Sequence, residues 1–245
     1  MKNAAAHPGW FVGLAAPFLW GNLQAATAED DRATVLGGSV AIATDYVFRG
    51  VSQTLGEPAL QASIDLALEN GFYAYVWGSN VDFYPAGERS DGAHTEINLA
   101  AGYFAAWGER WSLDIMLVRY LFPGTRQAID YDYTELVSTV RFDEQLHATL
   151  GYSNAVEGTD SDSWFTELGF EYSLPSDVMF GIAWGRYDLS DAYGSSYSYT
   201  STTLSRQFSA AEVSLSYYKA FDGADELYFE QAFDSRIVFS VLVTF

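Results

Sequence analysis

The sequence lacks cysteine altogether, and its charged residues are mostly of one sign. Without thiols, the chain can form neither disulfide bonds nor a thiolate metal site, and it has no cysteine nucleophile. Its 32 acidic and 12 basic residues give a formal net charge of −20, which would repel a phosphate backbone. The composition therefore excludes nucleic acid as a partner.

Proline is also scarce, with 6 residues, whereas aromatic residues make up 17% of the chain. Together with 21 glycines, this composition suits strands and tight turns better than helical bundles. A length of 245 residues is enough for one domain with a sizeable buried interior. We therefore expect a single all-β domain.

Long apolar runs are missing except near the N-terminus. Lys2 precedes an apolar stretch over 10–20, and small-residue cleavage patterns follow at 23–25 and 26–28. This arrangement predicts a cleaved signal peptide over 1–28, and the alternative is a disordered or helical tail. We expect a short periplasmic segment over 29–36 and the folded domain over 37–245. No later segment has the 18 continuous apolar residues of a transmembrane helix, so a membrane could be crossed only with strands.

Twelve segments alternate between apolar and polar residues with the period of two that marks a β-strand. In 60–69, the side chains of Leu60, Ile64 and Leu66 share one face, opposite those of Ser63 and Asp65. Segments 146–153, 178–185 and 236–245 repeat the pattern. One face suits lipid and the other suits water, which is typical of a transmembrane β-barrel.

The links between these segments alternate in length. The short links fall at 70–71, 107–110, 142–145, 174–177 and 207–210, and Asn70-Gly71 indicates a type I′ hairpin. The longer links fall near 49–58, 83–94, 121–130, 154–163, 188–197 and 221–234. Outer-membrane barrels pair short periplasmic turns with longer external loops, so we predict one antiparallel twelve-stranded barrel with both termini in the periplasm. A soluble β-sandwich is the alternative, but it requires no such alternation of link lengths.

Residues 43–54, with the sequence ATDYVFRGVSQT, resemble the opening motif of the TorF family of porin-like proteins. Residues 64–65, 70–73, 76–83, 96–98 and 102–103 resemble the hairpin and strand that follow in that family, and 235–245 resembles its closing strand. The resemblance extends over about residues 37–245, and it implies a bacterial outer-membrane barrel. Residues 121–162 and the tenth predicted strand (197–206) match no fixed pattern of the family.

Few residues could support catalysis. Beyond the signal peptide, the only histidines are His94 in an external loop and His147 on a polar strand face, and no nucleophile elbow, zinc helix or phosphate-binding loop is present. We therefore expect no enzyme, no cofactor and no metal centre, and a membrane-embedded hydrolase using His147 is the third hypothesis. The acidic clusters 160–162 and 222–226 lack the spacing of a calcium loop and indicate solvated charge, with weak divalent-ion binding as the alternative.

The polar strand faces carry far more acid than base. Placing them inside the barrel gives a predicted pore lining of Asp45, Asp65, Glu69, Asp82, Glu96, Asp114, Glu135, Glu167, Glu171 and Glu212, with Arg141 and Arg236 as the bases. We expect a hydrated, cation-favouring passage. The alternative is a packed polar interior, in which these carboxylates pair with the few arginines and with hydroxyl groups. A barrel of twelve strands lies between the filled small barrels and the open large ones.

Aromatic residues recur where strands meet links, as the girdles of a membrane barrel require. The predicted girdle comprises Trp77, Trp107, Trp111, Trp164, Trp184, Tyr103, Tyr152, Tyr172 and Phe245. A second role, stacking on sugars, is the alternative for the loop tyrosines Tyr193, Tyr197 and Tyr199.

We therefore predict a porin-like channel in the bacterial outer membrane for the passive diffusion of small hydrophilic solutes or ions. The second hypothesis is a non-conducting barrel that serves structure or interaction. The expected partners are outer-membrane lipid, the solutes themselves and the outer-membrane assembly machinery. By analogy with such barrels, that machinery would recognise the lipid-facing row of the last strand, formed by Ile237, Phe239, Val241, Val243 and Phe245.

Overall fold

A closed antiparallel barrel of twelve strands forms the protein in a computed structural model that describes residues 34–84, 92–126 and 130–245. The barrel strands are β1 (Thr34–Ala43), β4 (Ala59–Leu68), β5 (Phe72–Asn80), β6 (Thr95–Trp107), β7 (Trp111–Leu121), β8 (Tyr133–Phe142), β9 (Leu146–Ser153), β10 (Ser163–Leu174), β11 (Val178–Leu189), β12 (Ser195–Phe208), β13 (Ala211–Phe221) and β14 (Arg236–Thr244). The predicted fold class and strand number are confirmed.

Short elements fill some of the long links. A two-stranded hairpin, β2 (Val47–Phe48) and β3 (Val51–Ser52), lies between β1 and β4. One 3₁₀ turn spans Val156–Gly158, and single-turn helices span Ser190–Tyr193, Ala224–Leu227 and Glu230–Phe233. Within the described part of the chain, no helix is long and apolar enough to cross a membrane.

The first and last strands close the barrel. β1 pairs with β14 on one side, where Ser39 lies opposite Thr244, and with β4 on the other, where Gly37 lies opposite Asp65. β1 begins at Thr34, so residues 34–36, which were expected to precede the barrel, are already part of it. The predicted signal peptide, 1–28, lies outside the described residues and stays a prediction.

The two faces of each strand separate as the alternation predicts. On β4, Leu60 and Ile64 are exposed on the outer surface, whereas Ser63 and Asp65 are buried inside the barrel. On β14, Ile237 and Phe239 are exposed, and the side chain of Val238 is buried. An outer surface of large apolar side chains around a polar interior is the arrangement that a lipid bilayer requires.

The links confirm the predicted alternation of short turns at one end and longer loops at the other. The type I′ turn predicted at Asn70-Gly71 is wrong. Only Gly71 has a positive φ, and the link has three residues with a hydrogen bond from the Gly71 amide to the Leu68 carbonyl. A type I turn followed by a left-handed glycine suits three residues better, because Asn70 then keeps a negative φ.

The predicted aromatic girdle needs one correction. Trp77 is only 3% exposed and packs edge-to-face on Tyr46 inside the barrel, because its position on β5 points inward. The other members have exposed or half-exposed rings on the outer surface, namely Tyr103, Trp107, Trp111, Tyr152, Trp164, Tyr172, Trp184 and Phe245.

Glycines on the inner face leave room for large side chains of the neighbouring strand. A Cβ added at Gly151 on β9 would lie 1.9 Å from the ring of Phe165 on β10, and Phe165 is fully buried. We expect Gly151→Ala to lower the free energy of unfolding by about 1–3 kcal/mol, because overpacking forces the ring to move. Urea titration of the refolded barrel measures the change. Ala148→Val, on the lipid face of the same strand, is the control, and an equal loss in both variants would contradict the packing role of Gly151.

Candidate functional site

The first long link does not extend into solvent but folds into the barrel. β2 and β3 are joined by Arg49-Gly50, and both residues have positive φ, as a type I′ turn requires. A Cβ at Gly50 would lie 2.6 Å from the Cβ of Tyr199 on β12, so only glycine fits at the tip of the hairpin. We call residues 44–58 the inner loop.

Arg49 fixes the tip of the inner loop to the far wall. Its Nη2 donates to Oε2 of Glu135 on β8 at 2.6 Å, and both side chains are 1% exposed. The guanidinium also lies 3.6 Å from the ring centre of Phe165 and 4.5 Å from that of Tyr187. Buried charge is stable only when it is paired, and this arginine has both a carboxylate and aromatic faces.

Asp45 fixes the base of the inner loop. Its Oδ1 accepts hydrogen bonds from Ser52 at 2.6 Å and Thr54 at 2.8 Å, and its Oδ2 lies 3.2 Å from Nη1 of Arg236 on β14. The placement of Asp45 on the first strand is therefore wrong. β1 ends at Ala43, because the chain turns inward there to bring Asp45 to these three partners.

Below the inner loop, towards the short-turn end, a second charged group lies inside the barrel. The His147 ring on β9 lies against Gly169, where a Cβ would be 2.1 Å from it, between Glu167 and Glu171 on β10. His147 Nε2 is 3.4 Å from Glu167 Oε1, and its Nδ1 is 3.8 Å from Glu171 Oε1. Arg141 Nη1 is also 3.8 Å from Glu171 Oε1. Carboxylates and bases therefore alternate around this level.

Most of the predicted pore-lining residues lie inside the barrel. Asp65, Glu96, Glu135, Arg141, Glu167 and Glu171 are buried, and Asp114, Glu212 and Arg236 are half-buried on inward-facing positions. Two others do not lie on strands. Glu69 is exposed in the turn after β4, and Asp82 is exposed beyond the end of β5, because both strands end before them. Among the half-buried residues, Asp114 accepts a hydrogen bond of 2.6 Å from the Tyr73 hydroxyl.

A cavity of about 490 Å³ lies above the inner loop, at the long-loop end. Twelve of its 21 described lining residues are aromatic, and Glu96, Glu157 and Glu226 are its carboxylates. Phe83, Phe122 and Tyr131 meet in one group of rings, with centres 5.7 to 6.1 Å apart. We call this cavity the vestibule.

The three tyrosines that were predicted to lie in loops occupy different elements of the structure. Tyr193 is 46% exposed in the single-turn helix at 190–193, whereas Tyr197 and Tyr199 are buried on β12 and are not loop residues. All three belong to the interior or its rim, and Tyr193 and Tyr197 line the vestibule.

Glu157 is held at the vestibule by the loop between β9 and β10. Its Oε2 accepts a hydrogen bond of 2.8 Å from the Tyr193 hydroxyl. Burial raises the pKa of this carboxyl above its ordinary value, and the Tyr193 hydrogen bond partly offsets that rise. The Glu226 carboxylate accepts a hydrogen bond of 2.6 Å from Ser195. Both loop carboxylates are thus held by a hydroxyl donor, and Glu226 is exposed to solvent, as predicted for the acidic cluster 222–226.

The two histidines occupy different environments. His94 is exposed beside the start of β6, and both ring nitrogens of His147 face carboxylates. Nucleophilic catalysis needs a hydroxyl or thiol group beside the base, whereas the groups that face the two ring nitrogens of His147 are carboxylates. Among the described residues, no three histidine or acidic side chains are placed to hold a metal ion.

Arg49 and the inner loop are not predicted from the sequence. The sequence predicts an external loop near 49–58, because polar residues and glycines surround these positions. One signal is available: the apolar Tyr46, Val47 and Phe48 directly precede the link, and the link itself contains the apolar Val51 and Leu55, which an exposed loop does not need.

A model of one bacterial protein family matches residues 27–245 of the sequence. The chain belongs to the Gcw_chp family. The description of Gcw_chp is a bacterial protein of unknown function, and the more specific TorF resemblance is not confirmed by this match. No curated protein is significantly similar to this Gcw_chp chain in sequence.

Solved structures of porins share the fold of this Gcw_chp protein. The KdgM porin in complex with disordered oligogalacturonate has 9% identity and a TM-score of 0.53, and the match covers 86% of this chain and 99% of KdgM. The NanC porin has 10% identity and a TM-score of 0.54, with coverage of 86% and 99%. Such low identity shows the barrel architecture alone.

Proposed function

We propose that this protein is a narrow outer-membrane channel for small hydrophilic solutes or ions, that it favours cations, and that its inner loop must shift for solutes to pass. One observation carries the proposal: the interior of a closed, porin-like barrel contains many charged and polar side chains, and the inner loop fills its centre together with aromatic side chains of the strands. The resemblance of 43–54 to the TorF family of porin-like proteins points the same way.

Charge supports the cation preference. Among the residues that the structure describes, the interior has eight carboxylates and three guanidinium groups: Asp45, Asp65, Glu96, Asp114, Glu135, Glu167, Glu171 and Glu212 against Arg49, Arg141 and Arg236. A confined passage lined by one sign of charge concentrates the opposite ion, because the surrounding protein screens the field poorly. An anion would therefore meet a higher barrier than a cation of the same size.

A salt gradient across a planar bilayer tests this preference. We expect the reversal potential of the wild type to show cation selectivity. In Glu167→Gln/Glu171→Gln, the ratio of cation to anion permeability should fall by about threefold, because Arg141 loses its opposing charge. Asp160→Asn/Asp191→Asn removes the same charge from exposed loop positions and should change the ratio little. Anion selectivity of the wild type would refute the cation preference.

The second candidate is a barrel without a pore that serves structure or interaction. The observation that favours it is the density of contacts made by the inner loop: Arg49 reaches Glu135 across the barrel, and Tyr46 reaches Glu96 on β6 at 3.4 Å. If the refolded protein forms no channels even after the Arg49 contact is removed, this second function replaces the first.

A further inference from the structure

The vestibule differs from the rest of the interior in its chemistry. The lower interior contains guanidinium groups and a histidine, but no lysine, arginine or histidine is present among the described residues that line the vestibule. The charged residues among its described lining are Glu96, Glu157 and Glu226. The remaining wall is largely aromatic. An acidic ligand would be repelled from this cavity, and a cation would be attracted to it.

The aromatic wall already binds one cation of the protein itself. The Arg49 guanidinium lies 4.5 Å from the ring centres of Phe48 and Tyr187, and both rings also line the vestibule. Arg49 is below the cavity and forms its ion pair with Glu135; its charge also lowers the pKa of Glu157 from a distance, but it forms no ion pair with the three vestibule carboxylates. The same kind of surface therefore continues upward, and the described residues that line it there carry no positive charge.

We infer that the vestibule is a binding site for an organic cation with an apolar body, such as an aryl- or alkylammonium ion. Its ammonium group would lie near Glu157 and Glu226, and its apolar body would contact the Phe83, Phe122 and Tyr131 rings. Aromatic rings attract a cation through their negative faces, and this attraction grows when water is excluded. The volume of about 490 Å³ lies within the roughly 300–1,000 Å³ of small-molecule sites.

This site deepens the proposed channel function and rests on it, because the vestibule is then where a solute enters before it meets the inner loop. The charge of the ligand decides between this site and a sugar site. A neutral sugar would also stack on aromatic rings and bond to carboxylates, but it would not distinguish a cation from an alcohol of the same shape.

Calorimetric titration of the refolded protein in detergent tests the inference with matched probes: phenethylammonium, 2-phenylethanol and 3-phenylpropionate, with maltose as the sugar. We expect phenethylammonium to bind at least about tenfold more tightly than the alcohol, and the carboxylate and maltose to bind more weakly still. Equal binding of the cation and the alcohol, or tighter binding of the carboxylate or maltose, would overturn the inference.

A charge-matched pair of variants tests the location. Glu157→Gln/Glu226→Gln should weaken phenethylammonium binding by about fivefold to tenfold, whereas Asp160→Asn/Asp191→Asn should retain wild-type binding. Equal losses in both would assign the effect to overall charge and overturn the site. The probe series on the wild type remains decisive if a variant fails to fold.

Channels without cation binding would refute only the site, and cation binding without channels would refute only the channel function.

Discussion

Arg49→Ala should raise the open probability of the channel in planar bilayers by at least about tenfold. The substitution removes the ion pair between Arg49 and Glu135 and leaves the Glu135 carboxylate buried without its guanidinium while the inner loop is in place. Removing one partner of a buried ion pair costs about 3–5 kcal/mol, and each 1.4 kcal/mol is a tenfold change in an equilibrium. The cost falls on the closed state, because an open interior hydrates Glu135.

Two variants control this experiment. Arg49→Met/Glu135→Gln restores a neutral pair of similar size and should return the open probability towards the wild-type value. Arg110→Ala breaks an exposed pair with Asp143 in turns at the opposite end, and it should have no effect, because exposed pairs contribute little. An unchanged open probability in Arg49→Ala would show that the ion pair does not hold the inner loop.

Deletion of Phe245 should reduce the amount of folded barrel recovered from the outer membrane by about tenfold. The Phe245 amide donates to the Gly38 carbonyl at 3.0 Å, and the Gly38 amide donates to the Phe245 carbonyl at 2.9 Å. The deletion removes both bonds from the seam between β1 and β14, at about 0.5–1.5 kcal/mol each. It also removes the last member of the lipid-facing row that we propose the assembly machinery recognises.

Phe208→Ala is the matched control, because Phe208 is also an exposed aromatic residue at the short-turn end but lies away from the seam. The difference between boiled and unboiled samples on a detergent gel measures the folded fraction. Normal recovery of the Phe245 deletion would show that the terminal residue has no special part in assembly, while a loss in both variants would assign the effect to aromatic surface in general.

The periodic parts of the fold were predictable from sequence, because alternation is a local property. On β4 and β14, each side chain faces either lipid or the interior, so the period of two fixes both the strand and its orientation. Link lengths then gave the strand order and the end of the barrel at which each loop lies. The twelve strands and the pairing of β1 with β14 follow from these two signals.

The inner loop could not be predicted in this way, since its position depends on contacts that are distant in sequence. Arg49 meets Glu135, Phe165 and Tyr187, which lie on three different strands. The inward position of Trp77 is hidden for a related reason: both faces of β5 carry aromatic or apolar side chains, so alternation alone does not show which face points inward. The polar strand faces predict the acidic interior, but the pairing of its charges depends on the folded barrel.

Single-cysteine labelling tests most directly whether the inner loop fills the channel, and the absence of native cysteine makes it clean. Ser52 is buried inside the barrel, whereas Glu57, in the same loop, is exposed. With a thiol reagent added from the loop side, we expect Ser52→Cys to react at least about tenfold more slowly than Glu57→Cys, and Arg49→Ala to remove most of that difference. Equal rates for the two positions in the otherwise wild-type protein would contradict a loop folded into the barrel.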